Sequence, residues 1–138
     1  MDRFYKKELG RKMIQYIVDS NFILRYLLND SFEQYKQAKL IFDDVKNGKI
    51  HIKLEQVVFV EVIFVLTSFY KVPKEKIIEI MHSLLLYKGI NAEKELLNLA
   101  LDLFKTHNIH IVDSIIAARA KLSNIEALKF DKKLATII

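Results

Sequence analysis

Residues 16–28 read YIVDSNFILRYLL, and the hydrophobic pattern of this stretch changes at Asp19. Before Asp19 the side chains are apolar in succession, which is typical of a short buried strand, and after it apolar residues recur at helical spacing. A strand that passes directly into a helix favours a parallel sheet covered by helices. The Asp19 carboxylate then stands where the chain is about to be buried, so it needs a partner, a capping role or a metal.

The same alternation of strand and helix patterns continues along the chain. Strands are predicted over 15–19, 50–53 and 125–130. Helices are predicted over 20–28, 32–46, 54–70, Pro73 to about Tyr87, 92–106 and 113–122. Two segments are ambiguous: 88–91 is a brief strand or a turn, and 132–137 is a short helix or strand. The Asn-Gly pair at 47–48 lies between a helix pattern and a strand pattern and joins no two predicted strands, so no hairpin is signalled and parallel pairing is favoured. We therefore predict a three-layer α/β/α sandwich with a short parallel central sheet. Ligands of such sheets bind beyond the carboxyl ends of the strands.

The composition indicates one globular domain with a single core. The chain has 138 residues, of which 51% are hydrophobic and 28% charged, with a formal net charge of +5. Most of the excess positive charge lies in residues 1–12, which we interpret as a basic N-terminal extension to a domain over 13–138. A solvated extension and a contact with RNA both agree with this charge.

Several function classes are excluded or disfavoured by residue content. The chain has no cysteine, which excludes disulfides, thiolate zinc sites and cysteine nucleophiles. No apolar run reaches the roughly 20 residues that span a bilayer, and no secretory signal is evident, so we expect a cytoplasmic protein without membrane attachment. The four histidines lack the paired spacing of a zinc site, and a solvated or structural role is expected for His51, His82, His107 and His110.

The carboxylates differ in their sequence surroundings. Asp102 shares a helical stripe with polar residues and is predicted to lie on the surface. Glu61 stands inside the apolar run VVFVEVIFVL (57–66), so we expect it to point into or beside the core, either as a structural carboxylate or as part of a site. Asp19, Asp113 and Asp131 each precede an apolar periodic run, so a helix cap and a functional site both explain them.

Metal-ion chemistry explains Asp19, Glu61, Asp113 and Asp131 together. Carboxylates that converge at strand ends repel one another, and divalent cations relieve this repulsion. Oxygen-only ligands select hard ions such as Mg²⁺ or Mn²⁺, which activate water and neutralise charge on a phosphoryl group. Glycine-rich phosphate loops and nucleophile elbows are lacking.

The order of these motifs resembles the PIN-domain nucleases, in particular the VapC-like toxins of toxin–antitoxin pairs. VDSNFILRYLL resembles the family's opening segment, VEVIFVL its helix with the second acid, VDSIIAARA its D-x-x-[IL]-A-A-x-A helix, and KFDKKL its [TS]-[FY]-D-[KR] strand end. The similarity covers about residues 14–135.

The resemblance implies a Mg²⁺- or Mn²⁺-dependent endoribonuclease with one or two ions. Asp19 and Asp113 are implied as primary metal ligands, Glu61 as a ligand or a residue that orients water, and Asp131 as support for a second ion. Asn21 and Ser20 are expected to position Asp19 or contact substrate, although a helix-start hydrogen bond explains Ser20 equally well.

Two further positions bear on activity and partners. Lys129 stands where the family usually has Thr or Ser, and a lysine there is able to pair with the carboxylates or contact RNA phosphate. It is the main support for an alternative, a degenerate PIN-like module that binds RNA or protein without cleavage. Arg25 is expected either to meet an antitoxin or to form a surface salt bridge.

The partners implied by the resemblance are an RNA substrate, a small antitoxin, and a second copy of the chain that docks through the helices around 32–46 and 54–87. A third possibility is an unrelated α/β protein in which the acids are scattered caps and core pairs.

Overall fold

The computed structural model describes residues 15–137 of the chain. Within this range the strands are β1 (Gln15–Ile17), β2 (His51–Lys53) and β3 (Ile90–Asn91). The helices are α1 (Ser20–Leu28), α2 (Phe32–Lys46), α3 (Gln56–Ser68), α4 (Lys74–Leu85), α5 (Lys94–Thr106), α6 (Ile111–Ser123) and α7 (Lys132–Ile137). The predicted extension over residues 1–12 lies outside the described residues.

The three strands form one parallel sheet in the order β1-β2-β3. Tyr16 pairs with Ile52, and Ile52 pairs with Ile90. Along the chain, α1 and α2 connect β1 to β2, and α3 and α4 connect β2 to β3. Parallel neighbours joined through helices confirm the predicted α/β/α class with a short parallel sheet.

The first strand differs from its prediction. We expected a short buried strand over 15–19, but β1 ends at Ile17, whose side chain is 68% exposed. Within the described residues β1 pairs on one side only, with β2, so it is an edge strand. The central position belongs to β2, where Ile52 is fully buried.

The described residues fall into two compact units. The first contains the described residues up to Val62 and Leu86–Ala92, and therefore the whole sheet with α1 and α2. The second contains Ile63–Leu85 and the described residues from Glu93 onward. The division along the chain lies within α3, between Val62 and Ile63.

The spacing of apolar residues explains the helices of each unit. In the first unit, α2 buries Ala38, Phe42 and Val45, which lie three and four positions apart. In the second unit, α5 packs against both α4 and α6. Its buried residues recur on one face, namely Leu96, Leu97, Ala100, Leu101 and Phe104. These periodic patterns are the reason why the helices were predictable.

The predicted strand over 125–130 is wrong. This segment has no regular structure, and Leu128 and Phe130 are 98% and 106% exposed. A short segment rich in apolar residues fits a strand, but a strand also needs a neighbour that supplies backbone hydrogen bonds, which a pattern cannot provide. The ambiguous segment after it, 132–137, forms the helix α7.

Candidate active site

Asp19 caps the first helix. Its Oδ1 accepts a hydrogen bond from the backbone N–H of Phe22 at 2.9 Å, which confirms the capping interpretation. Oδ2 makes no hydrogen bond with any residue in the described range. Asp19 also lines a cavity of about 270 Å³ in the first unit, together with Tyr16, Phe22 and Ile52. Capping therefore fixes this carboxylate and leaves one of its oxygens available to a ligand.

Glu61 lies close to the start of the same helix. Its Oε1 accepts a hydrogen bond from the Ser20 hydroxyl, and Ser20 is the residue that follows the cap. The Ser20 hydroxyl was expected to position Asp19 or to bond at the helix start. It donates to Glu61 instead. In the first unit Asp19 and Glu61 are thus linked through Ser20.

Glu61 was expected to point into or beside the core, and the first alternative is wrong, because Glu61 is exposed. The apolar helix α3 exposes a stripe at helical spacing that also includes Val57, 74% exposed, and Phe64, 64% exposed. Hydrophobic neighbours in the sequence therefore did not show that the Glu61 carboxylate is buried, since α3 also exposes apolar side chains to solvent.

Asp113 belongs to the first turn of α6. The helix begins two residues earlier than predicted, and its N-cap is His110, so Asp113 is not a cap. Asp113 is half-buried, and its carboxylate makes no hydrogen bond or ion pair with residues 15–137. Its neighbour Ser114 is fully buried and donates to the His110 carbonyl at 3.2 Å. The Asp113 carboxylate is therefore open to a ligand.

Asp131 caps α7. Its Oδ1 accepts hydrogen bonds from the backbone N–H groups of Lys133 at 2.8 Å and Leu134 at 3.1 Å. Asp131 and Asp113 line the same cavity of about 410 Å³ in the second unit. The acids predicted from sequence therefore form two pairs, Asp19 with Glu61 in the first unit and Asp113 with Asp131 in the second.

The donor set fits a hard divalent cation. Both pairs consist of carboxylate oxygens, which are the ligands that Mg²⁺ and Mn²⁺ prefer. Taken unit by unit over residues 15–137, no three His, Asp or Glu side chains converge on one position. Each unit thus supplies two carboxylates as protein ligands, and water or substrate oxygens are needed to complete a coordination sphere.

The supporting residues predicted from sequence have varied surroundings. The Arg25 guanidinium pairs with Asp30 at 3.0 Å, which is the surface salt bridge considered above. Asn21 is exposed. Lys129 donates to the carbonyl of Ala127 at 3.1 Å. This bond directs the Lys129 ammonium to the backbone of its own loop.

The surface position predicted for Asp102 and the structural role predicted for His82 are confirmed. Asp102 is exposed on α5, as predicted. His82 lies between Asn98 Oδ1 at 2.7 Å and Asp102 Oδ1 at 3.2 Å, which is a structural polar contact between α4 and α5.

Sequence reasoning missed the positive side of the second-unit cavity. His110, Lys132 and Lys133 line it together with Asp113 and Asp131. The signal was present in KFDKKL, where two lysines directly follow the last acid. In the sequence these two lysines have the pattern of ordinary surface residues, because nothing there shows that they share a cavity with the N-terminal end of α6.

The PIN domain family model matches residues 16–137, which is most of the chain. The chain belongs to the PIN domain family. A PIN domain is a nuclease-type fold that generally depends on divalent metal ions, so this protein is, at that level, a hydrolase of the nuclease class. Comparison with curated proteins and with solved structures gave no match. No helix of the PIN domain within residues 15–137 has the length and apolar character needed to cross a membrane.

Proposed function

We propose that this PIN domain is a Mg²⁺- or Mn²⁺-dependent endoribonuclease and the toxin of a VapBC-like pair. The observation that carries the proposal is the carboxylate of Asp113, which is half-buried, lines a polar cavity beside Asp131 and has no partner within residues 15–137. The charge of such a carboxylate attracts a divalent cation, and its free oxygens are the ligands that a hard cation prefers.

Each acid is assigned a role that its surroundings support. Asp19 and Asp113 are each assigned as a metal ligand of their own unit, because each keeps at least one oxygen without a hydrogen bond to the described residues. Glu61 binds metal or orients water, with its carboxylate held by Ser20. Asp131 supports a second ion while it caps α7. When bound, the ion supplies charge neutralisation at the phosphate and a more acidic water.

The partners follow from the family resemblance. RNA is the proposed substrate, a small antitoxin the proposed regulator, and the cytoplasm the proposed location. A homodimer is proposed through the helices around 32–46 and 54–87. Apolar side chains on the surfaces of α2 and α3 support it, namely Phe32, Leu40, Val57 and Phe64.

The decisive experiment compares three Asp→Asn variants on bulk RNA with Mg²⁺ or Mn²⁺. Asp19→Asn and Asp113→Asn are expected to reduce cleavage roughly a hundredfold or more, since each removes a ligand charge. Asparagine accepts the same capping bond as aspartate, so Asp19→Asn should retain the thermal stability of the parent. Asp102→Asn is the matched control on the exposed face of α5 and should cleave normally.

Two outcomes contradict the proposal. If both Asp19→Asn and Asp113→Asn retain cleavage, the acids take no part in the reaction. If the parent protein still cleaves RNA in EDTA, the reaction does not depend on a metal ion. The toxin assignment is tested separately by the neighbouring gene, which should encode a short antitoxin that suppresses the activity when co-purified.

A further inference from the structure

The cavity of the second unit contains positive as well as negative groups. Of the described residues that line it, Ile109 alone is apolar. Asp113 and Asp131 supply two carboxylates, and Lys132, Lys133 and His110 supply the groups that we call the basic wall. A cavity with this lining suits a charged, strongly hydrated ligand and not an apolar one.

The two ammonium groups and the imidazole of the basic wall make no bond within the described part of the protein. The ammonium groups of Lys132 and Lys133 form no ion pair or hydrogen bond with residues 15–137, even though two carboxylates share their cavity. The His110 ring likewise makes no hydrogen bond in the described part of the chain; His110 is the N-cap residue of α6, but its side chain makes no capping bond. By contrast, the nearby Lys129 is occupied by the Ala127 carbonyl.

The charge balance of the cavity indicates the ligand. Two carboxylates and two ammonium groups cancel formally when the cavity holds no other ion. A divalent cation held by the acids offsets their charge and leaves the two lysines uncompensated, which attracts an anion. A phosphodiester accepts hydrogen bonds from ammonium and imidazole N–H groups and a bond to the cation at the same time.

We propose that Lys132, Lys133 and His110 bind a backbone phosphate of the nucleic-acid strand beside Asp113 and Asp131. This inference deepens the proposed nuclease function and rests on it for the identity of the strand. The three residues are substrate-binding residues that contact phosphate oxygens, so they contribute affinity and position without reading base sequence.

The test measures binding without cleavage. Fluorescein-labelled poly(U) RNA is titrated in Mg²⁺ at several salt concentrations, with every protein carrying Asp19→Asn, which is expected to block hydrolysis and leaves Asp113 and Asp131 charged. Lys132→Gln/Lys133→Gln should weaken binding about tenfold, because it removes two exposed charge contacts. The slope of log affinity against log salt should fall by about 1.4, or about 0.7 per lost phosphate contact on a single strand. His110→Ala should weaken binding about threefold.

The matched control is Lys105→Gln/Lys121→Gln. These lysines are exposed on α5 and α6 of the same unit, they do not line the cavity, and their removal changes the net charge equally. The control should bind almost as tightly as the parent protein. All of these side chains are exposed, so each variant should fold, which circular dichroism verifies.

The outcomes separate this inference from the nuclease proposal. Equal weakening in the cavity variant and the control, or a parent protein that does not bind RNA, overturns the inference whether or not the protein cleaves RNA. A selective loss of binding in the cavity variant supports it even if the parent fails to cleave. Normal binding by the cavity variant together with normal cleavage would leave the nuclease proposal intact and would show that the basic wall does not bind phosphate.

Discussion

The hydroxyl of Ser20 donates a hydrogen bond to the carboxylate of Glu61 and so joins the start of α1 to α3 within the first unit. Ser20 is buried, and it directly follows Asp19, which caps the same helix. One side-chain contact thus fixes the relation between two acids that are far apart in sequence. Its consequence is that Glu61 is oriented by α1 and not by burial in the core.

Ser20→Ala is expected to weaken Mn²⁺ binding about tenfold, because the residue that orients a metal ligand acts on affinity. The free energy of unfolding should fall by about 1 kcal/mol from the lost hydrogen bond. Isothermal titration calorimetry measures the first effect and urea denaturation the second. Ser83→Ala, an exposed serine on α4, is the control. Unchanged Mn²⁺ affinity in Ser20→Ala would show that Glu61 is not a ligand or is not held by Ser20.

The two roles of Asp131 can be separated by two substitutions. Asparagine accepts the backbone bonds from Lys133 and Leu134 as well as aspartate does, whereas alanine accepts neither. Asp131→Asn should therefore keep the parent stability and lose about tenfold in cleavage, while Asp131→Ala should also lose about 1 kcal/mol of unfolding free energy. The paired measurements are RNA cleavage and thermal unfolding. Full activity in Asp131→Asn would reduce Asp131 to a helix cap.

Gly89 lies where two backbone segments meet the sheet. A Cβ added there would stand 2.0 Å from the Ile50 carbonyl oxygen and 2.7 Å from that of Val45. Because these obstacles are backbone atoms, Gly89→Ala should lower the free energy of unfolding by about 3 kcal/mol. Gly48→Ala is the comparison: Gly48 has φ of +85°, and a Cβ there would meet only the Lys88 side chain at 3.4 Å, so the substitution should cost about 1 kcal/mol. If urea denaturation gives the two variants the same free energy of unfolding, the close approach of the backbone to Gly89 is contradicted.

Tyr26 should make the protein sensitive to alkaline pH. Burial, followed by the hydrogen bond to the Tyr87 hydroxyl at 2.6 Å, raises the pKa of Tyr26 above its ordinary value of 10.0. A raised pKa means that the folded state favours the neutral phenol. The stabilisation is complete below the unfolded pKa and is lost as pH rises from about 10 towards the folded pKa.

Tyr26→Phe tests this dependence. At neutral pH the variant should lose about 1 kcal/mol with the hydrogen bond, and above about pH 10 its stability should decline less than that of the parent. Urea denaturation at about pH 8 and about pH 11 gives both values. Tyr35→Phe, which keeps the Tyr26–Tyr87 bond, should decline as the parent does. Parallel pH curves for parent and Tyr26→Phe would mean that Tyr26 does not control the alkaline limit.

The parts of the fold that were predictable from sequence are those with a local cause. The periodic burial of Leu97, Leu101 and Phe104 makes α5 a helix whatever surrounds it, and Pro73 marks where α4 begins. Segment 125–130 has an equally good strand pattern but no regular structure, because strand formation depends on a partner elsewhere in the chain. Glu61 shows the same limit, since its exposure depends on which face of α3 is covered.

The sequence by itself determined the α/β class and the succession of helices, and it named a helix cap as one of two explanations for Asp19 and Asp131. These features depend on residue order and local hydrogen bonds. Tertiary structure alone decided that Ser20 holds Glu61, that Asp113 has no partner among the described residues, and that Lys132, Lys133 and His110 share its cavity. Such relations depend on how distant segments pack, and no local pattern encodes which side chains will face one another.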